Sequence, residues 1–370
     1  MTKRSSPASQ GLTYPAAGVD SAAEEQGLHA LLQWVNKTHR FRKGLGQARI
    51  DIGYFASVID IGHGMGLAIT TDGVGTKLLV AQMVGKYDTV GIDCVAMNVN
   101  DLICVGATPL SMVDCLTIEE ARPDVLEQIG KGLYEGAQRA HVNIVGGEIA
   151  QARDMVKGYR PGLGFDLTGT CVGTVPLEAI NIGQDVREGD IVIGLRSTGV
   201  HSNGLTLARK ALFEAAEMPI GQRVPDLGRS LGEELLEPTA IYVDEASALQ
   251  SAGVTPKALA NITGDGLLNL GRVAAPVGYV LDSLPEAHPI FHLIQRAGNV
   301  PLAEMFRVFN MGVGFCVVVG PQDVDRALHA LRQPGLSTPH VLGHAVADRE
   351  KRVRVPRYRL VGSEGVFRLE

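Results

Sequence analysis

Apolar positions along the chain recur with two periods, and these set out the elements. Val125, Ile129, Leu133 and Ala137 recur every four residues, which predicts a helix over Asp124–Ala140. Val95, Val99 and Leu102 give Thr89–Val105 helical character, and the same spacing puts Cys94, Asn98 and Asp101 on one face. Another helix is expected over Ala22–Val35, ahead of the basic turn Arg40-Phe41-Arg42-Lys43-Gly44. Residues Ile50–Leu79 read as strands joined by glycine turns, with Gly66–Thr71 running straight into Asp72. His141–Val145 is strand-like and ends at Gly146-Gly147-Glu148, and a further strand precedes Pro176.

A domain boundary is expected near Val175–Arg187, followed by a short buried strand, Asp190–Leu195. The turn Thr198–Gly204 opens a helix from Leu205 to about Ala216, and Pro238 suits the first position of a helix reaching Leu249. Helix and strand signals alternate to the end, so the fold class is α/β or α+β. Met1 to about Gly18, rich in Ser, Ala, Pro and Gly, is expected to lie loosely on the surface. At the other end, six basic residues in Arg349–Arg359 alternate with Val353, Val355 and Tyr358. That pattern reads as a strand with a solvated basic face, or as a polyanion dock.

Composition narrows the function. A length of 370 residues suits about two domains with substantial cores. A net charge of -6, one Trp and 5% aromatics argue against nucleic acid as a partner. No apolar run approaches the roughly 18 residues of a membrane span. Five cysteines in apolar stretches, with no Cys-x-x-Cys pair, read as reduced core thiols of a cytoplasmic protein.

Candidate chemistry begins at Asp72-Gly73-Val74-Gly75-Thr76-Lys77. Glycines let backbone N–H groups approach phosphate oxygens, Lys adds a point charge, and Asp can hold Mg²⁺. The spacing is not that of a Walker loop, and a plain hairpin turn would use the same glycines. Asp101 and Glu148 supply further carboxylates for one or two Mg²⁺ ions, although each also suits an N-cap or the surface. Thr198-Gly199-Val200-His201-Ser202-Asn203-Gly204 sets donors at the start of a helix, suited to a phosphate monoester, with His201 able to move a proton. Two more glycine turns offer Asp265 and Asn310.

Taken in order, these segments resemble the phosphoribosylformylglycinamidine cyclo-ligase (AIR synthetase) family. The resemblance rests on Asp72–Lys77, the Asp-x₄-Gly-Ala-x-Pro run Asp101–Pro109, Gly146-Gly147-Glu148 and Gly199–Gly204. It continues through Leu236-Glu237-Pro238-Thr239, Ile241-Tyr242-Val243, Ile262-Thr263-Gly264 and Phe309-Asn310-Met311-Gly312, and covers roughly Tyr14 to Val346. It implies a two-domain α/β protein of the PurM-like kind, a homodimer whose N-terminal sheets join in a barrel. The implied division is a flexible segment 1–18, an ATP- and metal-binding domain 19–175, a substrate domain 176–346 and a basic extension 347–370.

The implied reaction uses ATP and Mg²⁺ to close formylglycinamidine ribonucleotide into aminoimidazole ribonucleotide. On that reading Asp72, Asp101 and Glu148 hold Mg²⁺–ATP, and Gly73, Gly75, Thr76, Lys77, Asn98 and Gly147 surround the nucleotide. His201, Asp72 and Asp101 would be catalytic, and Ser202, Asn203, Thr263, Gly264, Asn310 and Gly312 would line the substrate.

The chain departs from the family pattern after Glu148, where Ile149–Met155 replaces the usual segment and Asp154 is the carboxylate that could substitute. It also carries Asp265 within Ile262-Thr263-Gly264-Asp265-Gly266, either a metal ligand or part of a plain turn, and offers Lys37 and Lys43 as lid lysines. The competing readings are a thiamine-phosphate kinase-like or selenophosphate synthetase-like enzyme, and a nucleotide-binding paralogue without catalysis.

Overall fold

The computed structural model of the chain describes residues 11–18 and 21–370. Its first half contains α1 (Ser21–Val35), β1 (Ser57–Gly62), β2 (Met65–Gly73), α2 (Lys77–Val84) and α3 (Val90–Cys104). It continues with β3 (Thr108–Ile118), α4 (Pro123–Ala140), β4 (Asn143–Gln151) and β5 (Phe165–Pro176). β1 and β2 are joined through His63-Gly64, both at positive φ as a tight hairpin requires. The sheet order is β1-β2-β5-β3-β4, antiparallel except for β3–β4, which α4 connects. α3 covers one face with α4 packed against it, whereas the opposite face stays open and shows Ile61, Val113 and Val145.

The second half begins with β6 (Ile191–Arg196) and α5 (Leu205–Arg209), then a small ribbon of β7 (Arg223–Val224) and β8 (Arg229–Ser230). α6 (Leu231–Leu235), α7 (Val243–Ser251), β9 (Ala258–Asn261), β10 (Val277–Val280), α8 (Pro289–Gly298) and α9 (Leu302–Val308) follow. The chain ends in β11 (Val313–Val319), α10 (Val324–Leu331), β12 (Pro339–Ala347), β13 (Val353–Val355), β14 (Leu360–Ser363) and β15 (Val366–Leu369). Eight strands form one sheet in the order β15-β14-β13-β10-β12-β6-β11-β9. Every residue of β11 is buried, which is why it reads as a continuous apolar run rather than an alternating one. α3 is buried along nearly its whole length because it lies between the first sheet and β9 of the second.

Several elements differ from the sequence reading. Lys77–Val84 is a helix rather than strand, since a short apolar run after a glycine turn fits either period. Pro238 does not start a helix; the helix begins at Val243, because the backbone of 237–242 is bonded to the other half of the chain. After Arg209 the helix widens into a π turn, Lys210–Ala215. β4 runs through Gly146-Gly147-Glu148 instead of stopping there.

Gly11–Gly18 is not loose: Leu12 N donates to Gly298 O (3.0 Å) and Tyr14 N to Glu304 Oε1 (2.6 Å). Residues 1–10 lie outside the described residues. The basic end is built into the sheet. Val353 and Val355 are buried there, and Arg352 and Arg354 pair with Asp348. Four cysteines are buried, but Cys115 is exposed on β3. No described helix is long and apolar enough to cross a membrane.

α3 and α4 meet through glycines: a Cβ on Gly91 would fall on the backbone of Gly132 and Leu133. Backbone cannot swing aside as a side chain can, so Gly91→Ala is expected to cost about 1–3 kcal/mol or more. Thermal melting should show a loss of several degrees; an unchanged melting temperature would refute the close crossing.

Candidate functional site

β2 carries Asp72 to its end, and the register aligns Asp72 with Gly169 of β5, Asp114 of β3 and Gly147 of β4. Directly paired residues share a sheet face. Here it is the covered one, since a Cβ on Gly169 would meet Met112, Asn98 and Cys94. Asn98 Nδ2 donates to Asp72 O (3.2 Å) and Cys94 O (2.9 Å), while its buried Oδ1 has no partner. One helical step on, Asp101 Oδ1 accepts from Asn261 Nδ2 (2.9 Å), which ties α3 to β9. Burial pushes the Asp101 carboxyl up to about 7, with the Asp72 charge adding to the rise. Burial also raises Asp72 and Asp114. Two acids therefore sit close together with no ion pair recorded for Asp72 among the described residues.

The loop after Asp72 faces the second half of the chain. Gly75 takes φ +70, and Thr76 Oγ1 lies 3.0 Å from Thr206 Oγ1 of α5. Lys77 does not point toward a phosphate position, which corrects its expected role. Its side chain is fully buried and donates to Asp93 Oδ1 (2.8 Å) and Glu237 O (2.5 Å). Asp93 Oδ1 also accepts from Thr239 N (2.7 Å) and Thr239 Oγ1 (2.6 Å). Asn100 holds the same segment, donating to Ala240 O (2.8 Å) and accepting from Tyr242 N (2.9 Å).

The turn Thr198–Gly204 lies on the far side of that segment. His201, at φ +63, accepts at Nε2 from Thr198 N (3.1 Å) and Ala240 N (3.4 Å). Burial, then the charges of Lys77 and His288, depress its imidazole to about 3. His201 thus braces the turn as a neutral acceptor, with Nε2 already engaged by two backbone N–H groups. Ser202 Oγ lies 3.1 Å from Thr239 Oγ1. Asn203 faces Gly264, so the turn meets the segment Asn261–Gly266 that contains Thr263. Asn310 is buried and fully engaged: Nδ2 donates to Gly199 O (2.9 Å) and Oδ1 accepts from Gly312 N (2.8 Å) and Ser197 Oγ (3.0 Å). It shapes the Thr198–Gly204 turn with polar atoms already bonded inside the protein, which is not the substrate contact expected of it. Gly312, at φ +94, sits where a Cβ would meet Arg196.

Two proposed metal ligands are not brought to Asp72 and Asp101. Glu148 pairs with Cys115, one residue out of step with Asp114 and Gly147, so strand alternation sends it to the open face. Gly147 itself is exposed beside Asp114. Asp265, at φ +68, lines a cavity of about 300 Å³ with Asn269, Arg272, Lys351 and Glu364. Arg272 connects that cavity to the acidic pair, since its charge acts on Asp101. Asp154 is exposed, and Lys37 lies over the Trp34 ring.

Sequence reading missed Asp93, Asp114 and Arg272, and gave Thr239 no role of its own. Asp114 was detectable, because it interrupts a strand-forming run with an acid.

Among the described residues no three His, Cys, Asp or Glu side chains gather as a ready-made metal cage. Mg²⁺ on phosphates needs only one or two carboxylates, and the oxygens of Asp72, Asp101 and the unpartnered Asn98 Oδ1 are hard donors of the right kind. The residues present fit that ion.

A folded-state carboxyl raised above its unfolded value favours the fold at low pH, and that contribution is lost as pH rises through about 7. Asp101→Asn removes the penalty and keeps an acceptor for Asn261. With a chelator present, the stability of the variant relative to the unmodified protein should improve by about 1–3 kcal/mol from pH 5 to pH 8. A pH-independent difference in chemical denaturation would contradict the buried acid.

Comparison with known proteins follows the same division. A family described as AIR synthase related protein, N-terminal domain, matches residues 53–175, and its C-terminal domain counterpart matches 187–356. The phosphoribosylformylglycinamidine cyclo-ligase of Pyrococcus furiosus is 49% identical over 323 residues, 87% of this chain and 92% of that one. That of Methanothermobacter thermautotrophicus is 46% identical over 320 residues, 86% and 91% of the two chains. Among solved structures, a thiamine monophosphate kinase from Aquifex aeolicus has a TM-score of 0.58 at 17% identity, covering 88% of this chain and 96% of its own. A ThiL protein complexed with AMPPCP and TMP has a TM-score of 0.59 at 18% identity, covering 88% and 92%. These structures share the two-domain fold.

Proposed function

The chain belongs to the phosphoribosylformylglycinamidine cyclo-ligase family, and from that premise we propose that it closes formylglycinamidine ribonucleotide to aminoimidazole ribonucleotide, ADP and phosphate. One observation carries the reading. The Asp72–Lys77 loop with its buried acidic pair and the Thr198–Gly204 turn are hydrogen-bonded to the same short segment, 237–240. A nucleotide at the first and a ribonucleotide at the second would be held in fixed relation, which is what phosphoryl transfer chiefly asks of a protein.

The formyl oxygen is a poor leaving group until it takes the γ-phosphoryl group of ATP. An amidine nitrogen then attacks that carbon, the C–O bond breaks, and phosphate leaves as the ring closes. Asp72 and Asp101 would hold Mg²⁺, which neutralises the phosphate charge. The backbone at Gly73, Gly75 and Thr76 lies nearest the phosphates in this reading. Asn203, Thr263 and Gly264 flank the ribonucleotide, and His201 keeps the turn in shape as a neutral acceptor. Occupation of ATP is also in keeping with the AMPPCP held by a structure of the same fold.

The open face of the first sheet, with Ile61, Val113 and Val145 exposed and β4 at its edge, suits a second copy of the chain. We read the assembly as a homodimer closed through these sheets, and that contact is where Glu148 would find its surroundings.

Incubation with ATP, Mg²⁺ and formylglycinamidine ribonucleotide should release ADP only when all are present, with aminoimidazole ribonucleotide formed one for one. ADP release without the ribonucleotide, or phosphorylation without ring closure, would favour a kinase. Asp72→Asn should lower kcat by roughly 100-fold or more, the scale of one lost transition-state electrostatic contact, without lowering the melting temperature. Near-normal turnover would remove Asp72 from the site.

A further inference from the structure

The hydroxyl groups between the buried ion pair and the substrate turn have a fixed direction. Asp93, paired to Lys77, is an acceptor, so Thr239 Oγ1 spends its single proton on Asp93 Oδ1 at 2.6 Å. The contact of 3.1 Å between Thr239 and Ser202 must then be donated by Ser202. A serine has one proton as well. Once it is given to Thr239, only the lone pairs of Ser202 Oγ remain for anything else.

Both Thr239 and Ser202 are buried, with 2% and 8% of their surface exposed, so water does not freely scramble this order. The backbone reinforces it, since Thr239 N also donates to Asp93 (2.7 Å) and Lys77 grips Glu237 O (2.5 Å). Rotating the Thr239 hydroxyl away would leave a charged acceptor short of a donor in a dry interface.

We infer that Thr239 is a positioning residue that turns Ser202 into an obligate hydrogen-bond acceptor toward the ribonucleotide, so that Ser202 receives an N–H or O–H group and not a phosphate oxygen. The inference rests on the cyclo-ligase reading. It reverses the expectation that Ser202 donates to the substrate phosphate. An amidine or amide N–H and a ribose hydroxyl are donors; a phosphate dianion is not.

The test is a double-mutant cycle on the full chain, read as kcat/KM for formylglycinamidine ribonucleotide. Thr239→Val keeps the shape, removes the acceptor of the Ser202 proton, and should lower kcat/KM about tenfold, the scale of one hydrogen bond. KM for ATP should not move, and Thr239→Ser should restore activity to within about twofold. Because Thr239 acts through Ser202, the Thr239→Val, Ser202→Ala pair should be no slower than Ser202→Ala alone. Multiplying losses, or wild-type kcat/KM in Thr239→Val, would overturn the inference.

Should Thr239→Val fail to fold, a structure of the unmodified protein with formylglycinamidine ribonucleotide decides. Ser202 Oγ within hydrogen-bond reach of a substrate nitrogen or ribose hydroxyl supports the assignment. A phosphate oxygen there, or no substrate contact, refutes it. Absence of ring closure by the unmodified protein brings down the cyclo-ligase reading and this inference together, whereas the variant pattern brings down the inference alone.

Discussion

The ion pair of Lys77 with Asp93 is the contact on which the joint between the two halves depends. Both side chains are fully buried. Two charges taken out of water are tolerable only when other hydrogen bonds complete the geometry, and loss of one partner typically costs about 3–5 kcal/mol. The added bonds come from across the interface, through Glu237 O, Thr239 N and Thr239 Oγ1, and all those to the carboxylate fall on Oδ1 while Oδ2 is buried without a partner. A lysine from the first half and a threonine from the second therefore share one carboxylate oxygen, and neither half supplies all of its donors alone.

This arrangement separates scaffold from chemistry along single motifs. Within Asp72–Lys77, the first residue is half-buried and belongs to the acidic pair, whereas the last is committed to the joint. Within Thr198–Gly204, His201 braces backbone and Asn203 faces the neighbouring turn. Asn310 belongs with His201: its amide fastens Gly199, Ser197 and Gly312 at once. The motifs are dense in polar residues in good part because a buried polar joint requires them.

That mixture decides what could be read in advance. The helix Pro123–Ala140 was legible to within a residue because its apolar period is regular and one face is buried. The alignment of Cys94, Asn98 and Asp101 on one face of α3 also held, and it brought Asn98 to the end of β2 and Asp101 to β9. Lys77, His201 and Asn310 were legible as important but not in kind. Residue type shows that a group can bond phosphate or move a proton; only burial and partners show that the bond is already made. Glu148 failed for another reason. Strand register, fixed by pairing between β3 and β4, turned it to the opposite face from Asp72, and no local pattern encodes that. The segment 237–242 looked helical after its proline because local signals cannot anticipate backbone groups claimed by a distant part of the chain.

The strand order of the second sheet bears on how the protein comes off the ribosome. β6, synthesised first, lies between β11 and β12, and β10 is flanked by β12 and β13. Apart from the β13–β14 and β14–β15 hairpins, every pairing therefore awaits a strand made much later. Such long-range pairing is slow to form and leaves unpaired edges exposed in the meantime. The large sheet of the nascent second half gains its central pairings only when its C-terminal third has emerged, so its assembly is a late event, with α3 of the first domain there for β9 to settle on.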